Sequence, residues 1–212
     1  MSNASDFIHQ MPRISECQRI LKAAAMLDAI LMPEWEYRYY SYNTQWDANE
    51  QMASMRDGEG DHYFALFDSS NRLIIKGYDK AYASLHQDQL GNVLEGVPAD
   101  FKTTFLDEPA FMMDQTTFCI WNEEEQNEWT SSRHLADEAY ALLEVLVGGA
   151  EHYHAWAQEY YEVELDLEPI QHVFAMKPLD EQLLQALNPE IELDELEEDI
   201  AEIGYRFRRN DI

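Results

Sequence analysis

Two apolar runs, DHYFALF at 61–67 and RLIIKGYD at 72–79, are separated only by the four polar residues DSSN. Runs of this length, rich in Phe, Tyr, Ile and Leu around a short Asp/Ser/Asn connector, read as a β-hairpin. That pairing constrains the fold more than any other stretch. It sets up an antiparallel sheet, to which EWEYRYYSYNTQW contributes a strand from about Trp35 to Tyr42 and TTFCIW a further one. After the acidic stretch NEEEQN, EWTSS supplies a short fifth strand that continues the meander.

Helical periodicity lies on either side. RISECQRILKAAAMLDAIL places Ile14, Cys17, Ile20 or Leu21, Ala24, Leu27 or Asp28, and Leu31 on one face, with Pro33 closing the helix. Past Arg133, LADEAYALLEVLVGG reads as a helix ended by Gly148 and Gly149, and AEHYHAWAQEYYEV as the next. LDEQLLQALNPE starts at Leu179 or Asp180 and stops at Asn188-Pro189, and LDELEEDIAEIGY ends at Gly204. The fold class is therefore α+β: an antiparallel sheet of four or five strands in the first half, covered by helices from the N-terminus and the C-terminal half. The expected organisation is a flexible lead-in at 1–12, a single domain at 13–205 and a basic tail at 206–212.

Charge bounds the function. The 212 residues carry 42 Asp plus Glu against 14 Lys plus Arg, a formal net charge of −28. Between Glu151 and Tyr205 there are sixteen acidic residues against one basic residue, Lys177, and only the closing RFRRNDI reverses the sign. Such a field repels nucleic acid and anionic membrane surfaces and favours basic protein partners or simple solubility. No window approaches a membrane span, the N-terminus lacks a basic region followed by an apolar run, and the chain is expected to be cytoplasmic. Cys17 and Cys119 lie in a helical and a strand-like run without metal or disulfide spacing, so packed, reduced thiols are expected.

No catalytic or cofactor pattern stands out, and the expected cofactor set is none. The loop SMRDGEGD has the glycines of a phosphate cradle, but it leads into a strand and carries Asp57, Glu59 and Asp61 where a cradle needs converging N–H groups and a Lys. Nor do its three carboxylates have the twelve-residue spacing of a helical calcium loop. Arg56 either neutralises these neighbours or anchors a ligand carboxylate. His152 and His154, two apart on a helix, point about 200° apart and do not share one ion. Trp35, Tyr37, Tyr39, Tyr40, Tyr42 and Trp46 are candidates to line a groove, extended by Trp121 and Trp129; the other use for most of these rings is core packing of one sheet face beneath helices.

The segments YSYNTQW, EQMASMRDGEGDHYFALF and IIKGYD, followed by VPADF, FLDEPAF, TTFCIW, PLDEQLLQALNP and EIGY, resemble a group of bacterial cytoplasmic proteins mostly without assigned activity. Some of these are similar to immunity proteins of bacterial toxin systems. The resemblance spans roughly Trp35 to Tyr205. In the family pattern the second hairpin strand runs into a His-Glu pair, whereas this chain has Lys80 and Ala81 there, and no catalytic residue comes with the resemblance.

With the charge, this gives the leading expectation: a non-enzymatic acidic protein that binds a basic partner such as a toxin domain and neutralises it by contact. Two alternative contact surfaces are expected. One is the acidic helical back from Glu192 to Glu202, with Glu195, Glu198, Asp199 and Glu202. The other is the loop Arg56, Asp57, Glu59 and Asp61 with flanking Tyr42 and Trp46. The alternative function is a small-molecule binding or enzymatic domain, in which the 54–61 loop and the aromatic strand form a pocket and Arg56 orients an anionic group with help from Asp57 or Asp61.

Overall fold

A computed structural model describes residues 6–86, 93–123, 128–133 and 135–208. Short helix α1 (Asp6–Gln10) and long helix α2 (Ile14–Leu31) lead into a 3₁₀ turn, Trp35–Tyr37. Six antiparallel strands follow among the described residues: β1 (Tyr40–Asp47), β2 (Glu50–Arg56), β3 (His62–Asp68), β4 (Arg72–Tyr78), β5 (Phe118–Glu123) and β6 (Trp129–Ser131). They pair in chain order as a meander. Between β4 and β5 lie α3 (Lys80–His86), α4 (Ala99–Asp107) and a 3₁₀ turn, Pro109–Phe111. A 3₁₀ stretch, Asp137–Leu143, then opens the helical half: α5 (Glu144–Tyr160), α6 (Leu167–Phe174), α7 (Glu181–Leu187) and α8 (Glu197–Ile203).

The α+β architecture agrees with the pattern in the sequence, and three details differ. There are six strands instead of four or five, because EQMASMR forms β2, which the mixed polar and apolar residues conceal. Trp35–Tyr37 is a 3₁₀ turn, so the first strand begins at Tyr40 and runs on to Asp47. The segment before residue 13, expected to be flexible, contains α1, where Phe7 stacks on Tyr140 and its N–H donates to Asp137 Oδ1. Residues 1–5, 124–127 (within the expected acidic stretch) and 209–212 lie outside the described residues. As the glycines imply, α5 is two helical pieces joined across a kink at Gly149, where φ is 57° and ψ −138° and only glycine is at ease.

Both faces of the central strands are buried, which is why β3 and β4 read as continuous apolar runs and not as alternating ones. On one face Tyr40, Tyr42, Met55, Tyr63, Ile75 and Phe118 form the main core with α2 and the C-terminal helices. On the other face Met52, Phe64, Leu66, Ile74 and Trp121 meet Val97, Phe101 and Phe111 from the α4 region. Residues 23–30 of α2 are buried all round, as a helix enclosed between a sheet and other helices must be.

One of those residues is Asp28. Its Oδ2 accepts the N–H groups of Tyr39 (2.9 Å) and Tyr40 (2.6 Å), and its Oδ1 accepts the Tyr153 hydroxyl (2.6 Å). The carboxylate thus ties α2 to the start of β1 and to α5. Burial pushes its pKa up to about 6, and the bonds from Tyr153 and the backbone hold it there against a larger rise.

Asp28→Ala leaves two backbone donors and a hydroxyl unpaired, and is expected to cost about 3 kcal/mol or more in denaturant unfolding. Asp28→Asn keeps the shape and costs less. Between the ordinary carboxylate value and about 6, folded Asp28 holds a proton that the unfolded chain has released, so its contribution to stability falls as pH rises through that window and is level above it. Melting curves from pH 4 to 7 are expected to show this slope flattened in the Asn variant.

Candidate functional site

The loop after β2 is closed by its own side chain. Asp57 Oδ1 accepts the N–H groups of Glu59 (2.8 Å), Gly60 (2.8 Å) and Asp61 (2.9 Å), while the Asp57 N–H donates to the Asp61 carbonyl at 3.1 Å. Gly58 and Gly60, at φ 76° and 128°, let the backbone curl tightly enough for three amides to converge. The donors that a phosphate cradle would offer are occupied by an internal carboxylate. Asp61 Oδ1 in turn accepts the Lys80 N–H at 2.7 Å, joining the loop to α3. Burial raises the Asp61 pKa, the Lys80 N–H opposes the rise, and the charges of Asp57 and Asp79 add to it.

A buried polar ladder supports the loop from inside the second core. Lys76 is fully buried, and its ammonium donates to the carbonyls of Met112 (3.1 Å) and Gln115 (2.7 Å) and to His62 Nε2 (3.1 Å). His62 Nδ1 lies 2.9 Å from the Gly60 carbonyl. A carbonyl only accepts, so Nδ1 carries the proton and Nε2 takes the Lys76 bond. Burial, then the Lys76 charge, lowers the His62 pKa and keeps the ring neutral; burial pushes Lys76 down to about 7.

Beside the loop, the turn before β1 and the end of α5 build an aromatic groove of about 500 Å³, walled by Tyr37, Tyr160 and Tyr161 with Arg38, Arg56 and Glu59. Trp35 and Tyr37 are each 60 % exposed and Tyr160 41 %, unusual for side chains of this size. Arg56 lies against the Trp35 and Phe64 rings, 5.8 and 5.5 Å from their centres, and burial lowers its pKa. A smaller cleft of about 130 Å³ opens beneath Arg56, between Trp35, Ser41 and Ser54, whose hydroxyls are 2.7 Å apart. Tyr39 continues the stack inward through Trp156 and Tyr40 to the core.

The residues singled out from sequence do not gather at one place. Arg56, Asp57 and Glu59 line this groove, while Asp61, in the same loop, turns its carboxylate to the Lys80 N–H. Tyr42 is buried under α2, its ring against Phe67 and its hydroxyl donating to Gln51, which leaves it no contact surface. Trp46 is at the far end of the β1–β2 hairpin, its half-buried ring on Phe111 of the second core. Alternation along β1 sends even-numbered Tyr42 to one core, and the irregular pairing after Asn43 turns Trp46 to the other. On the acidic back, Glu195 Oε2 accepts the Glu192 N–H in a capping box, Glu202 accepts from Asn43, and Glu198 is exposed. Asp199 holds Arg38 through two bonds, at 2.5 and 3.0 Å. Since Arg38 also lines the groove, the two expected surfaces meet there.

Sequence reasoning named Trp35 and Tyr37 as candidate groove residues but placed them on a strand, and missed Tyr160. The available signal was Pro33 followed by aromatics interleaved with Glu34 and Glu36, a composition suited to a turn at the protein's edge.

The thiols of Cys17 and Cys119 are free and buried; burial pushes the Cys119 thiol up to about 12 and Cys17 higher still. Among the described residues, no group of three His, Cys, Asp or Glu side chains is placed to hold a metal ion, and no helix is long and apolar enough to cross a membrane. No protein-family model, curated protein or solved structure matches the chain.

Two variants test this site's construction. Asp57→Ala frees three loop amides, and faster hydrogen exchange is expected at Glu59, Gly60 and Asp61 while β3 stays protected. Lys76→Met removes a base whose pKa falls from 10.5 to about 7 on folding. The folded protein binds fewer protons than the unfolded chain between those values, so the Lys76 contribution to stability grows as pH rises from 7 to 10.5. Melting curves of the Met variant are expected to lose that rise.

Proposed function

We propose that this chain is a non-enzymatic acidic binding protein that captures a basic protein partner, acting as an immunity-type inhibitor that neutralises a bacterial toxin by contact. The observation that carries this reading is the groove itself: Trp35, Tyr37 and Tyr160 stand exposed around Arg56. Trp, Tyr and Arg are the side chains that dominate binding energy at protein interfaces, and they do so from the centre of a patch whose rim excludes water. The rim here is acidic, with Glu34, Glu36, Glu59, Glu159 and Glu162 exposed near these aromatics and Glu198 beyond Arg38. An acidic rim steers a basic partner and makes its association rate sensitive to salt, while the aromatic centre sets how long it stays.

The 54–61 pocket as a small-molecule or enzymatic site is supported less well. The two carboxylates expected to assist Arg56 are committed to structure, Asp57 to three loop amides and Asp61 to the Lys80 N–H.

The test uses the full chain as bait in extract of its native host at about 50 and 500 mM salt. A basic protein retained at low salt and released at high salt is the expected result, with Trp35→Ala weakening its binding at least about tenfold. Retention of no salt-sensitive protein, or retention unaffected by Trp35→Ala and Tyr37→Ala, overturns the reading.

A further inference from the structure

Arg56 is anomalous in a protein with three carboxylates for every basic side chain. Three other arginines are paired: Arg19 with Glu16, Arg38 with Asp199, and Arg72 with both Asp68 and Asp100. Among the described residues the Arg56 guanidinium makes no hydrogen bond or ion pair and has only the faces of Trp35 and Phe64 against it. Five donors in a fixed fork, exposed at the end of β2, leave a geometry that a carboxylate completes. Ser41 and Ser54 line the cleft below, and one proton is enough for the bond between their hydroxyls, so the second is available to a ligand. The cleft's volume of about 130 Å³ suits a carboxyl group and its adjoining methylene.

The surroundings limit what brings that carboxylate. Glu36 lines the cleft and Glu59 and Glu162 the adjoining groove, and their like charges repel a wholly anionic ligand. A carboxylate flanked by cationic side chains passes the same rim under attraction. We propose that the Arg56 cleft receives the carboxylate of an aspartate or glutamate side chain set within a basic surface segment of the partner protein. This rests on the partner-binding reading above and adds the feature of the partner that the site selects.

The experiment titrates the full chain at low salt with two blocked peptides, acetyl-Lys-Lys-Gly-Glu-Gly-Lys-Lys-amide and the same peptide with Gln for Glu, following the Arg56 side-chain N–H signal by NMR. The Glu peptide is expected to bind about tenfold more tightly, the size of one charge-assisted hydrogen-bonded pair, and it alone shifts the Arg56 signal. In Arg56→Gln the two peptides become equal, while Arg56→Lys keeps part of the preference. Unchanged melting temperatures confirm that both variants fold. Equal binding of the two peptides to the unmodified chain, absence of binding by either, or a preference that survives Arg56→Gln overturns the proposal. Acetate shifting the Arg56 signal at the concentrations where the Glu peptide does overturns the protein-borne source in favour of a free small carboxylate. A host protein captured equally well by the unmodified chain and Arg56→Gln, yet lost with Trp35→Ala, overturns this inference and leaves the partner-binding reading standing.

Discussion

A single carboxylate at the centre of the molecule fixes how sheet and helices meet. Asp28 lies among eight consecutive buried residues of α2, where an unpaired charge would be prohibitive, and it is accommodated by two backbone amides from the start of β1 and a hydroxyl from α5. Two elements that are neighbours in sequence and a third 125 residues away thereby acquire one relative position. The groove follows from it directly: Trp35, Tyr37 and Arg38 immediately precede the tethered Tyr39 and Tyr40, and Tyr160 lies two helical turns beyond Tyr153 on α5. Their meeting around Arg56 depends on a bond network buried behind them.

The second face of the sheet follows a different rule. An antiparallel sheet commonly leaves one side to water, but here α4 and the 3₁₀ turn at Phe111 cover it, and that cover encloses a lysine. Lys76 is tolerated because two carbonyls and a neutral imidazole accept its protons, and the same bonds pass through His62 to the Gly60 carbonyl. Interior basic groups and the internally capped Asp57 together make the 57–61 loop a firm edge for the groove. A preordered surface loses little conformational freedom on binding, and more of its contact energy remains as affinity.

Charge and shape divide the work at the surface. Much of the acidity on the helical back is committed locally, in the Glu195 capping box, the Asp199–Arg38 pair and the Glu202–Asn43 bond. What remains free is spread as a rim, and Arg38 connects the α8 side of that rim to the aromatic groove. Net charge acts at long range and is averaged over the molecule; contact energy is local and concentrated in a few desolvated side chains.

The apolar runs of β3, β4 and β5, the periodic helix α2 and the helices α7 and α8 with their terminal Asp180 and Gly204 were legible in the amino-acid order, because hydrophobic period and capping residues act over a handful of neighbours. The acidic balance was equally plain. Strand β2 was hidden because, between two partner strands, Gln51, Ser54 and Arg56 are carried by ladder bonds that no local pattern announces. The site was half legible: Arg56 and its acidic loop were visible as a cluster, but Tyr42 and Trp46 looked like its neighbours and are not, whereas Trp35, Tyr37 and Tyr160 are. Which aromatic ring is buried and which stands at a surface depends on register, on a 3₁₀ turn in place of a strand and on where a distant helix ends. Those are settled by long-range packing, chiefly the bonds converging on Asp28, and proximity along the chain carries no information about them.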